Sequence, residues 1–261
     1  MILVGNLVAH LDEVVPFSWA EDWDRVGLLA GCAEWKVERV LAAVDPSMDA
    51  LARARQMGAT VLLTHHPAFL EPLETVAAGR GAAGLVFEAV RSGVALVNCH
   101  TNMDRAQPGA DALPILLGLE MLSPLEPEGE DPRRPRMGRI CSGGGLTLAG
   151  LAALTGETLG VRATAWGDPG AKASRIAIAP GSGRSLVPAA LAAGCDALVT
   201  GELRYHEARD ALEAGLVIVE AGHDATERPL TRALAGLAAA TPGLDPNAVV
   251  VDDVAYPWWI A

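Results

Sequence analysis

Gly58-Ala59-Thr60-Val61-Leu62-Leu63-Thr64-His65-His66 is the stretch on which the reading of the fold turns. A glycine of the kind that stops a helix leads into a short apolar, β-prone run, and the run ends abruptly at a threonine and two histidines. The same grammar extends in both directions. Upstream, Val40-Leu41-Ala42-Ala43-Val44 is another short apolar run, ending at Asp45-Pro46, and a helical pattern from about Ser47 to Met57 stops at Gly58. Downstream, a helix near Leu85 to Arg91 ends at Gly93 and the strand Val94 to Val97 follows. Strands alternating with helical segments of about three turns indicate parallel pairing through helical crossovers.

The alternation pauses from Ser123 to Pro135, a proline-rich, acidic stretch with no apolar period that reads as a linker or exposed loop. It then resumes. A helix is expected near Leu146 to Leu159, with strands at Val161 to Trp166 and Arg175 to Ala179. A helix near Ser185 to Ala193 and the strand Ala197 to Val199 come next. Beyond them lie a helix from Tyr205 to Ala214, the strand Leu216 to Val219, a long helix from about Ala225 to Ala239, and a last strand at Val249 to Val251.

The two halves resemble each other. Gly58 to His66 lines up with Gly194-Cys195-Asp196-Ala197-Leu198-Val199-Thr200-Gly201-Glu202, and His100-x-x-x-Asp104 with His223-x-x-x-Glu227. The expected fold class is therefore α/β, with two similar lobes of mainly parallel sheet facing each other across a shared site. The lobes would span 1–122 and 136–261, with 123–135 as the connection, and could form one compact unit.

Composition narrows the partners. The chain has 261 residues, enough for a sizeable core, and 51% hydrophobic residues in short runs. No run approaches the roughly 20 apolar residues of a membrane helix. The start Met1-Ile2-Leu3-Val4-Gly5-Asn6 lacks the pattern of a secretion signal. The four cysteines, Cys32, Cys99, Cys141 and Cys195, show no paired spacing, as expected of reduced core residues in the cytoplasm. A formal charge of −12 and the lack of a long basic block argue against nucleic acid. The densest basic patch, Arg133, Arg134, Arg136 and Arg139, lies among prolines and reads as a solvated loop. A small anionic ligand remains open, because it needs only a few local cations.

The histidines carry the chemistry. His65 and His66, His100 and His223 each follow an expected strand, and in open parallel sheets ligands bind beyond the carboxyl ends of the strands. This reading gathers histidines from three strands on one sheet edge. Glu227, one helical turn beyond His223, shares its face, and Asp104 stands at the same distance from His100. Imidazoles and carboxylates are the ligand mixture of Zn, Fe, Mn, Co or Ni sites. Adjacent His65 and His66 would point in opposite directions in a strand and so serve two ions. Two dications held by His65, His66, His223, Asp104 and Glu227 keep an excess of positive charge that makes hydroxide available at neutral pH.

Other residues suit supporting roles. Glu202, His206 and Glu207 follow the strand ending at Thr200, and Glu202 and His206 are candidates for proton transfer. His206 equally fits the surface of its helix. Gly181-Ser182-Gly183-Arg184 is a candidate anion nest, and Asp45 reads as the cap of the helix after Pro46. Asp22-Trp23-Asp24-Arg25-Val26-Gly27-Leu28 fits either a segment closing over the site or simple packing.

The sequence resembles the NIF-three-like family, also called GTP cyclohydrolase I type 2 homologues. The matching pieces are Trp23 to Gly31, Thr64 to Pro67, His100 to Asp104, Thr200 to Glu202 and Ala221 to Glu227, in the family's order and over nearly the whole chain. The resemblance implies a dinuclear metal site with His65, His66, Asp104, His223 and Glu227 as ligands and His100 beside them. It also implies a toroidal homo-hexamer. Two departures stand out: Asp224 occupies a position where many members carry a second histidine, and the inserted domain of some members is absent. The implied function is a cytoplasmic hydrolase with two divalent metals, acting on a nucleotide or related phosphorylated heterocycle. The rival reading is a ring-shaped metal-binding scaffold, regulator or store without turnover.

Overall fold

The computed structural model describes residues 2–129 and 131–253, and among these the chain forms two compact units. Of the described residues, 2–102 and 231–253 make up the first and 103–129 with 131–230 the second.

In chain order the helices are α1 (Val4–Val14), α2 (Met48–Gln56), α3 (Gly81–Arg91), α4 (Thr101–Arg105), α5 (Gln107–Ala110), α6 (Ala112–Leu116), α7 (Leu148–Leu159), α8 (Val187–Ala192), α9 (Tyr205–Glu213) and α10 (His223–Ala239). The strands are β1 (Gly27–Ala30), β2 (Val40–Ala43), β3 (Val61–Thr64), β4 (Ala95–Asn98), β5 (Glu120–Pro124), β6 (Arg139–Ser142), β7 (Thr164–Trp166), β8 (Arg175–Ser182), β9 (Ala197–Glu202), β10 (Val217–Glu220) and β11 (Val249–Val251).

The first unit holds a five-stranded sheet in the order β1-β4-β3-β2-β11. Strands β2, β3 and β4 are buried at every position, which explains why they read as continuous apolar runs rather than as an alternation. Leu41, Ala43, Leu62 and Leu96 pack with Ala50, Leu51 and Ala54 of α2 and with Leu85, Val86 and Ala89 of α3. The parallel register pairs Ala43 with Thr64 and Thr64 with Asn98, so three strands end level with one another. Antiparallel β1 pairs Gly27 with Asn98, so β1 begins where β4 ends.

The second unit holds a six-stranded sheet, β5-β6-β8-β9-β10-β7. Its centre, β8-β9-β10, is parallel, while the pairings of β5 with β6, β6 with β8 and β10 with β7 are antiparallel. The sheet is therefore mixed rather than mainly parallel. Period-two burial sorts its side chains: Ile176, Ile178, Val199 and Val219 pack with Leu148 and Leu151 of α7, whereas Ala177, Ala179, Leu198 and Ile218 pack with Ala190, Ala208 and Ala211 of α8 and α9.

The division into 1–122 and 136–261 differs from these units. β5 belongs to the second sheet, and β11, far beyond the proline-rich stretch, pairs in parallel with β2 of the first. A drop in apolar content marks a surface loop, here the connection from β5 to β6, whether or not a unit boundary lies nearby. Ser123 and Pro124 fall inside β5, and Glu130 of that loop lies outside the described residues, as do residues 254–261 of the expected second lobe. No described helix is long and apolar enough to cross a membrane.

Candidate metal centre

In the first unit the level ends of β2, β3 and β4 deliver Asp45, His65 and His66, and His100 to one edge. One ring nitrogen from each of His65, His66 and His100 lies within 4.8 Å of the others. His65 is fully buried and the other two are half-buried. His65 and His66 do not diverge as neighbours in a strand would. β3 ends at Thr64, and the amides of His65 and His66 turn to the carbonyls of Ala43 and Val44, leaving the rings 5.2 Å apart.

Each ring is held from behind. His65 Nδ1 lies 3.1 Å from the Cys99 carbonyl, His66 Nδ1 lies 2.7 Å from Asp45 Oδ1, and His100 Nδ1 lies 2.8 Å from Asp24 Oδ1. All three partners are pure acceptors, so Nδ1 is the donor and the lone pair resides on Nε2. That is how metal-binding imidazoles are usually oriented.

Asp24 is the residue that the sequence did not single out as part of the site. Its carboxylate also accepts from the Thr101 amide at 3.0 Å and hydroxyl at 2.5 Å. Burial by itself would raise the Asp24 carboxyl. The hydrogen bond and charge of His100, with the Thr101 hydrogen bonds, outweigh it and bring the group down to about 2. Asp45, expected to cap α2, does not: Ser47 caps it by accepting from the Ala50 amide, which leaves Asp45 to hold His66. The Trp23 segment, open between closure and packing, is fixed through Asp24 on one side and leaves the Trp23 ring 56% exposed against His100.

In the second unit β10 ends at Glu220 opposite Thr200, β8 and β9 run on to Ser182 and Glu202, and α10 starts just beyond β10. His223 opens α10; its Nδ1 lies 3.1 Å from Glu202 Oε1 and its Nε2 lies 3.2 Å from Glu227 Oε1. Glu227 is buried. Two donor atoms at about 2.0–2.2 Å from one tetrahedral ion stand roughly 3.3 Å apart, so this pair has the separation of ligands on one metal. His223 thus belongs to the second sheet, and the histidines occupy two sheet edges rather than one.

Gly181, Gly183 and Gly201 make room for this arrangement. A Cβ on Gly181, whose φ is +63°, would overlap the Glu227 carboxylate and stand 3.1 Å from His223 Nε2; one on Gly201 would stand 2.6 Å from the His223 Cα. The Gly181 amide donates to the Thr226 hydroxyl and its carbonyl accepts from Thr200. Strand β8 continues through Ser182, and Arg184 pairs with Glu207 at 2.9 Å. The expected anion nest lies where these glycines leave clearance for the start of α10, and its arginine pairs with a carboxylate. His206 lies on the exposed face of α9 against the Tyr205 ring, at 5.2 Å. Asp104 is half-buried on α4, four residues beyond His100.

The donors in each unit fit a metal: three histidines oriented through Nδ1 by oxygen acceptors in the first, and in the second a histidine oriented the same way beside a buried carboxylate. The fold and these residues define a two-unit α/β protein with a histidine–carboxylate cluster able to hold metal. Residues 2–252 match the Duf34/NIF3 (NGG1p interacting factor 3) family, and the chain belongs to it. A Streptomyces coelicolor protein named GTP cyclohydrolase 1 type 2 homolog is 39% identical over 235 residues, covering 87% of this chain and 82% of its own. A Clostridium acetobutylicum protein of the same name is 27% identical over 229 residues, 87% and 85% of the two chains. Among solved structures, Staphylococcus aureus protein SA1388 aligns with a TM-score of 0.90 at 24% identity, over 100% of this chain and 99% of that one. Reduced HcgD from Methanocaldococcus jannaschii aligns at 0.79 and 22%, over 97% and 98%. These two likenesses establish the fold.

Proposed function

We propose that this chain is a hydrolase dependent on two divalent metal ions, with His65, His66, Asp104, His223 and Glu227 as ligands and a nucleotide or related phosphorylated heterocycle as substrate. The observation that carries the reading is the shared orientation of His65, His66, His100 and His223, each with Nδ1 held by an oxygen acceptor. One such histidine is common in ordinary cores; four at the ends of strands, with a buried Glu227, match ligand chemistry. Joining both half-sites in one centre is part of this reading, supported by the repeated sequence pattern of histidine and acid in the two halves. When bound, two dications supply Lewis acidity and lower the pKa of a shared water.

The protein's own groups do the rest. Asp24, Asp45 and Glu202 hold the rings, and the Asp24 carboxyl is lowered to about 2 by His100 and Thr101 against the effect of its burial. Glu202 is exposed and already hydrogen-bonded to His223, a position from which a carboxylate can take up and return a proton. His206, on the exposed face of α9, is the second proton-transfer candidate.

The substrate class rests on the names of the relatives. Arg105, Arg184 and Arg228 lie against Glu126, Glu207 and Asp224, so the bound ions and Arg204 are assigned the phosphates. A cytoplasmic homo-hexamer without membrane or nucleic-acid partners completes the reading.

The test is turnover of GTP, cyclic nucleotides and a generic phosphate ester by metal-replete protein, with Glu227→Gln as control. Expected is hydrolysis of a nucleotide that the variant loses. Full metal occupancy with no turnover of any of them would replace this reading by that of a metal-holding ring protein.

A further inference from the structure

Trp23 stands out from the rest of the first unit. Buried tryptophan stabilises a core through a large apolar area, and leaving one exposed forgoes most of that. Its ring is 56% exposed, yet the backbone beneath it is held on every side. The Asp24 amide donates to the Glu21 carbonyl at 2.9 Å, and the Glu21 amide donates to the Thr101 hydroxyl at 2.9 Å. The Asp24 carboxylate ties the same turn to His100 and Thr101, and the Asn98 side chain donates to the Arg25 carbonyl at 2.8 Å. The ring meets His100 edge to face with centroids 5.9 Å apart, and His100 meets His65 and His66 at 5.2 and 5.7 Å. A solvent-facing indole on an anchored turn therefore borders the three-histidine cluster, and that turn is held through the same Asp24 that orients His100.

We propose that Trp23 is a specificity-determining platform on which the planar heteroaromatic ring of the ligand stacks. Every nucleobase has a π-face, and stacking on an indole carried by an anchored turn requires no ordering of the backbone on binding. This assignment rests on the proposed function and sharpens it: recognition is of the base, with sugar and phosphate left to other groups.

The experiment is calorimetric titration of the metal-loaded full chain with GTP, guanosine and ribose 5-phosphate, on wild type, Trp23→Phe and Trp23→Ala. Difference tryptophan fluorescence between wild type and Trp23→Phe is recorded in parallel. Expected in Trp23→Ala is a loss of about 5- to 150-fold in affinity for GTP and guanosine, the usual range for one stacked base. Trp23→Phe should largely rescue it, ribose 5-phosphate binding should not change, and the quenching assigned to Trp23 should appear only with base-bearing ligands. GTP binding that is equal in wild type and Trp23→Ala overturns the platform and leaves the proposed function standing. Failure of wild type to bind either GTP or guanosine overturns both. A change in oligomeric state on light scattering in Trp23→Ala, with base affinity unchanged, reassigns the exposed ring to contact with a second copy of the chain.

Discussion

Asp45 holds His66 in the first unit and Glu202 holds His223 in the second, and each pair is separated by 21 residues. In both, the acid lies at the end of one strand or two residues beyond it, a helix crosses over, and the histidine follows the parallel neighbour. One strand-helix-strand module thus supplies an oriented imidazole twice. The units differ in what joins it. In the first, His66 enters a loop, and the further nitrogens come from His65 next door and from His100 just beyond the adjacent strand β4. In the second, His223 opens a 17-residue helix, and the 3.6-residue period brings Glu227 alongside. The lesson is that the orienting acid belongs to the module, whereas the remaining donors depend on what the chain does next.

The sharpest way to break the comparison is to close the space that only the helical version needs. Gly181→Ala forces a Cβ into the Glu227 carboxylate at a left-handed backbone, and it should strip metal from the second unit and lower Tm. Gly93→Ala is the control: its φ is +70° and nothing lies within 4 Å of the added carbon. It should lose only about 1–2 kcal/mol of stability, to the strain of a left-handed backbone, and keep its metal. Equal effects in thermal melts and elemental analysis would show that the glycine clearance is not specific to the site.

The next largest effects are on metal number. His65→Ala should leave about one ion per chain, whereas Asp104→Asn and Glu227→Gln should each leave one or fewer, because a lost carboxylate charge would leave two dications less screened from each other. Both ions at full occupancy in the anomalous scattering of Asp104→Asn crystals would remove that acid from the centre.

The orienting acids should follow in order of burial. Their side chains are 0%, 42% and 63% exposed for Asp24, Asp45 and Glu202. Losses of a second-sphere acid typically weaken metal binding 10- to 100-fold. Asp24→Asn should fall at the upper end and Glu202→Gln at the lower, by chelator competition; the reverse order would count against orientation as the shared role.

The pattern was legible in the sequence where it was local. Strand ends, helix stops and the His223–Glu227 spacing follow from short-range periodicity. The aligned halves set Thr64-His65-His66 beside Thr200-Gly201-Glu202, whereas by role Asp45 matches Glu202 and His66 matches His223, one strand further on. Asp24 could not be found, because it meets His100 only through the antiparallel pairing of β1 with β4, across 76 residues. β5 was hidden as well: its first three residues are exposed, so no buried run announces it.

Acidity separates the two kinds of group. Histidine ligands must be neutral, so bound metal should be lost as pH falls toward about 5. Asp24, lowered to about 2, contributes stability that is complete above its ordinary value near 3.8 and is lost only as pH falls through about 2. Metal release at a pH where far-ultraviolet circular dichroism is unchanged is the expected result; coincident transitions would contradict it. The smallest effect concerns the thiols. Burial pushes Cys99 and Cys141 up to about 12, so at pH 8 they should resist alkylation while the half-buried Cys32 reacts, as followed by mass spectrometry.

The pairing of β11 with β2 sets a timetable for synthesis. Val40–Ala43 leaves the ribosome early, yet the strand that covers its outer edge is made roughly 200 residues later, about 10–40 s at ordinary elongation rates. Until then β2 is an open, wholly apolar sheet border, a ready template for pairing with a neighbouring nascent chain.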